Sequence, residues 1–174
     1  MEDLRIALAQ YYLQIKFVHL LMVGLWSFST VVAYINYVVP AFKAWQRDPQ
    51  NPKLIARRND FMERFDRGVT VEHVAFPLLL ASGLLMVWIA GWSLTQVSWL
   101  TIKLGIVVVI VVPMELVDYY ISHFDGNKAR IRATGNTQRY EAMMRFHWLF
   151  FRVTTPLIVV FVPLLFYLAV TKPL

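Results

Sequence analysis

Four stretches of this chain are too long and too apolar for a water-soluble fold. The first runs from about Leu13 to Pro40 and holds one charge, Lys16. The second runs from about His73 to Trp92, the third from about Val97 to Tyr120 and the fourth from about His147 to Val170. Each reaches the roughly 20 residues that carry a helix across bilayer hydrocarbon. Backbone groups in lipid must pair within their own segment, and no stretch alternates with a period of two. Helices are therefore expected, and a membrane barrel is not. Composition agrees: of 174 residues, 58% are hydrophobic and 16% charged, where a soluble domain carries about 25% charged. That hydrophobicity also excludes intrinsic disorder. The chain has no cysteine, so disulfides, thiolate zinc sites, iron–sulfur clusters and cysteine nucleophiles are excluded.

The first stretch does not read as a cleaved signal peptide. It is too long, and Glu2 and Asp3 make its flank acidic rather than basic. Residues 1–12 are expected to form a short interfacial helix, with Tyr11 and Tyr12 at the level of an aromatic belt.

Two long polar connections separate the spans. One covers about Ala41–Glu72, opens at Pro40, is broken at Asp48-Pro49 and Asn51-Pro52, and reads helical after Pro52. The other covers about Ser122–Arg145 and is broken at Asp125-Gly126-Asn127 and Gly135-Asn136. Between the second and third spans only a tight hairpin, from Gly91 to Gln96, is expected. The two connections hold 12 of the 17 lysines and arginines. The positive-inside rule then puts both in the cytoplasm and both termini outside. The net charge of +6 reads as topology and not as a nucleic-acid surface. Asp48, Asp60, Glu63, Asp66 and Glu72 interleave with the basic residues, so no nucleic-acid partner is expected. The fold expected is all-α: a single transmembrane domain, a four-helix bundle in the inner cell membrane.

Ionisable groups inside spans are costly and functional by default. His19 and Lys103 fall at one depth, roughly 8–10 Å in from the outer face at about 1.5 Å per residue. A metal cofactor axially ligated by an imidazole and a deprotonated lysine is one reading. Trp26 follows His19 by seven residues and Trp99 precedes Lys103 by four, so each aromatic shares a face with its polar partner and can wall a flat macrocycle. The competing reading is a hydrogen-bonded structural histidine and a snorkelling lysine.

A second group lies toward the other end: Glu72, His73, Glu115, Asp118, His123 and His147. Three readings stay open: a second haem through His73 and His147, a non-haem metal on His73, Glu115, Asp118 and His147, or Glu115 as a proton relay or as the partner of Arg152, with the histidines at the interface. Pro113 and Pro163 are expected to kink their helices. Met22 and Met86 read as packing.

Span one contains Ile15-Lys-Phe-Val-His19-Leu-Leu-Met-Val-Gly-Leu-Trp26, and span three begins Trp99-Leu-Thr-Ile-Lys103-Leu. Met62-Glu-Arg64, Pro77, Gly83-Leu-Leu and the terminal Val170-Thr-Lys172-Pro173-Leu174 follow in order. In these motifs, from about Leu13 to the end, the chain resembles the HemJ family of membrane protoporphyrinogen IX oxidases, within the CopD-like superfamily. The resemblance implies one haem b, or two if the second group holds another, with His19 and Lys103 as ligating and catalytic residues. It further implies a porphyrinogen substrate and electrons leaving to a quinone or a redox partner protein. Pro113-Met114-Glu115 replaces the family's Tyr-His pair, Val153-Thr-Thr-Pro156 keeps only the proline of its last-span motif, and the first span lacks its Leu-Pro-Arg run. Two alternatives follow: a haem-bearing electron-transfer or accessory subunit of a larger membrane complex, and a CopD-like copper or metal transport protein. A homo-oligomer is compatible with either.

Overall fold

A computed structural model describes residues 2–28, 31–93 and 97–172. Its described residues are helical, with no strand among them. Four segments are long and apolar enough to cross a membrane: Tyr12–Arg47, Pro52–Ala90, Ser98–Ala133 and Thr137–Thr171. The chain is thus a multi-pass membrane protein by the length and composition of its helices. Its outer surface agrees. Leu13 is 74% exposed, Val109 72% and Val159 66%, and apolar surface on this scale needs a lipid partner rather than water.

The chain forms two compact units: Met1–Ala90 with Asn127–Arg130, and Gly91–Gly126 with Ile131–Leu174. In the first unit, helix α1 (Glu2–Ala9) and helix α2 (Tyr12–Phe28) both pack against α6 (Thr70–Ala90). The expected short N-terminal helix is present as α1. A short turn, α3 (Val31–Ala33), leads through a π-helical turn at Tyr34–Val38 into α4 (Val39–Arg47). Helix α5 (Pro52–Gly68) packs back on α4. Its start is fixed locally: the Asn51 side chain accepts from the Lys53 N–H at 3.1 Å, and Pro52 fits the first turn, where no N–H is needed. In the second unit, α7 (Ser98–Ile106) passes through a second π-helical turn, Val107–Val111, into α8 (Val112–His123). After α9 (Lys128–Ala133), helix α10 (Thr137–Thr171) packs on α7 and α8. Asn136 caps α10 by accepting from the Arg139 N–H at 2.9 Å.

The helices run further than the apolar pattern implies. Helix α10 has 35 residues, about 52 Å at 1.5 Å per residue, well beyond the roughly 30 Å of hydrocarbon. Much of both polar connections is therefore helix, and the breaks shrink to the turns at Asp48–Asn51, Phe124–Asn127 and Thr134–Asn136. Pro40, expected to open a connection, instead sits in the first turn of α4. Both Pro40 and Pro113 stand just after a π-helical turn, ending the sequence Val-Val-Pro in each unit. A proline removes one N–H and crowds the carbonyl four residues back. The wider turn ahead of it takes up that misfit, so the helical path continues. Leu94–Gln96 of the expected hairpin lie outside the described residues. Gly91, just past α6, takes the left-handed conformation at φ 66° that commonly closes a helix.

Candidate functional site

His19 is held by the helix opposite it. Its Nδ1 lies 3.2 Å from the Leu79 carbonyl oxygen and 3.1 Å from Ser82 Oγ. A carbonyl only accepts, so Nδ1 carries the proton and Nε2 is the basic nitrogen. Ser82 is free to accept at its oxygen because its own hydroxyl donates to the Leu78 carbonyl at 2.7 Å. Gly83 completes the seat: a Cβ there would stand 3.1 Å from His19 Cε1. Sequence explains each part. Serine and glycine are the small residues that let an imidazole approach the backbone of α6 closely.

Trp26, on the same helix, is buried and packs its ring 5.8 Å from Phe76. His19, Trp26, Ser82 and Gly83 thus form one continuous seam between α2 and α6.

In the second unit, Lys103 is half-buried on α7. Trp99 is buried and stands edge-on to Trp92, with ring centroids 5.3 Å apart. Lys172 closes this pair: its Nζ lies 5.3 Å from the Trp92 centroid and 5.9 Å from that of Trp99. Lys172 thus serves as a cation over two indoles. Pro173 and Leu174 lie outside the described residues.

The second candidate group divides between the units. His73 is buried on α6. Glu115 and Asp118 are buried on α8, and His147 is fully buried on α10. His147 Nε2 lies 3.5 Å from Asp118 Oδ1, and its ring packs 4.3 Å from Phe151. His123 stands edge-on to Tyr119 at 5.0 Å. Arg152 is exposed on α10. Among the described residues no three His, Asp or Glu side chains converge on a metal position.

Sequence reasoning missed a buried charge cluster in the first unit. Asp66 and Lys128 have 1% and 0% of their side chains exposed and pair at 2.8 Å. The Lys128 N–H also donates to Asp66 at 3.3 Å. Arg58 is likewise buried, with its guanidinium 4.4 Å above the Trp45 ring and two donors on Asn59 Oδ1. These residues had the look of solvated loop charges. Only the helical reach of α5 and the turn before Lys128 turn them inward. Residue types alone carried no signal for the pairing, since its partners are 62 positions apart. No protein-family model, curated protein or solved structure matches this chain.

Proposed function

We propose that the chain is a haem-b-binding membrane redox protein, of a type similar to protoporphyrinogen IX oxidase, with His19 as an iron ligand. The observation that supports this reading is the fixing of His19 Nδ1 by Leu79 and Ser82. Histidines that bind metal through one nitrogen characteristically anchor the other to a carbonyl or a polar side chain, which sets the tautomer and ring plane. The donor set fits: a neutral imidazole in an apolar seam, with its basic nitrogen defined. When bound, haem b supplies reversible one-electron exchange at its iron. The chain's own contribution is positional. Leu79 and Ser82 hold the imidazole, Gly83 leaves room for it, and the Trp26–Phe76 pair keeps that seam apolar.

Lys103 is proposed as a second ligand on the ground of its intramembrane position on α7. Both termini outside, two charged connections in the cytoplasm and residence in the inner membrane belong to the same reading, supported by the basic residues of those connections. The replaced polar positions at Pro113–Glu115 favour a second version, an electron-transfer or accessory subunit that carries the haem without acting on a porphyrinogen.

The test is the absorption spectrum of the purified protein. A Soret band that disappears in His19→Ala and shifts in Ser82→Ala is expected. A colourless wild type, prepared with haem supplied during expression, refutes the proposal. Loss of the band in Lys103→Ala with the fold retained assigns the second ligand. Oxidation of protoporphyrinogen IX by the pure protein then separates the enzyme from the subunit.

A further inference from the structure

A groove of about 320 Å³ opens in the first unit, between the π-helical turn at Tyr34–Val38 and the second half of α5. Val38 and Phe65 are buried and form its floor. Tyr37 and Phe61, with ring centroids 5.5 Å apart, form a wall. Arg64 stands at the rim with 65% of its side chain exposed. Its Nε donates to Asp60 Oδ1 at 3.0 Å, and among the described residues its two Nη groups have no partner. Arg57 lies 5.4 Å from the Phe61 ring centroid, and the exposed Arg67 follows on the same helix. The acidic residues beside them are Asp60, held by Arg64, and Glu63 and Asp66, both buried. Asp60 is half-exposed and offsets one arginine, so the exposed rim is net positive through Arg57, Arg64 and Arg67 against one carboxylate.

Gly68 is the informative residue. It ends α5, yet its φ is not positive, so it is no left-handed cap. A Cβ built on it would meet nothing within 4 Å, so no neighbour demands its smallness. A helical glycine costs about 1 kcal/mol relative to alanine. Gly68 lines the groove with open space beside it, so a methyl fits there and only a larger side chain fills the groove.

We propose that this groove binds one anionic phospholipid of the surrounding bilayer. An acyl chain lies over Val38, Phe65 and Gly68, and the phosphate meets Arg64. Two observations choose this occupant. The groove sits where the charged stretch ending at Glu72 passes into the apolar stretch beginning at His73, which is the level of lipid headgroups. Its lining is apolar with a cation at the rim, which suits an amphiphile and leaves a free anion without enclosing donors. The inference does not depend on haem binding.

Native mass spectrometry of the full chain, released from detergent micelles with added phosphatidylglycerol or phosphatidylcholine, tests it. Wild type and Gly68→Ala should retain a single phosphatidylglycerol and release phosphatidylcholine. Gly68→Leu, which grows into the groove, should abolish retention. Arg64→Gln should weaken it about fivefold, the contribution of one arginine at an anionic surface. Equal retention of the two lipids overturns the proposal. So does retention unchanged in Arg64→Gln, an exposed substitution that decides the matter even if Gly68→Leu does not fold. Displacement of the lipid by inorganic phosphate alone also overturns it, since the acyl chain would then contribute nothing.

Discussion

Removing one partner of the Asp66–Lys128 pair is the sharpest perturbation of the first unit. At 2.8 Å and an effective dielectric of about 20, the attraction is about 6 kcal/mol before desolvation. Burial offsets most of it, at several kcal/mol per ion, so the net worth of the pair is small. The asymmetry is what matters. Lys128→Met removes the ammonium that lies 2.8 Å from the buried Asp66 carboxylate and keeps the Lys128 backbone N–H at 3.3 Å. The expected loss is about 3–5 kcal/mol, a fall in melting temperature of roughly 10 °C for a chain of this length. The double variant Asp66→Leu with Lys128→Met removes both charges and should recover most of that loss. Thermal unfolding in detergent, followed by circular dichroism for wild type, both single variants and the double, closes the cycle. Single variants that each cost under about 1 kcal/mol, the range of exposed pairs, or a double variant as unstable as the sum of the singles, would refute the reasoning.

Gly126→Ala should cost about 1–3 kcal/mol of stability, read as a lower melting temperature in the same assay, because the added Cβ would lie 2.7 Å from the Ile121 Cα, and that backbone cannot swing aside. Lys172→Gln should change the tryptophan emission and cost about 0.5–1 kcal/mol, since the ammonium lies over the Trp92 and Trp99 rings. An unchanged spectrum would show that the cation does not reside there in solution.

The four spans were legible because lipid leaves a chain few options: a run of about 20 apolar residues must be helical. The extent of the helices was not, because the residues beyond the apolar runs carry no period that separates an exposed helix from a polar loop. Asn51-Pro52 marked a helix start, since capping is a local matter, whereas Gly135-Asn136 read only as a break although Asn136 caps α10. Pro40 misled, because its effect depends on whether the preceding turn can widen. At the candidate site, His19 and Trp26 could be singled out from polarity and spacing. Their partners Leu79, Ser82 and Phe76 could not, because one is a backbone carbonyl and all lie on another helix. Lys128 and Arg58 show the limit of charge counting. Both belong to the basic connections, and both are buried.

The two π-helical turns bear on how these spans tolerate changes in length. An ordinary transmembrane helix that loses a residue rotates everything beyond the deletion by about a quarter-turn or more, since each residue subtends about 100°. The turns at Tyr34–Val38 and Val107–Val111 each already contain one residue more than an α-turn closes over. A deletion there can be absorbed by reversion to α-helix. Related chains that differ in length by one residue within a span should place the gap just before these prolines.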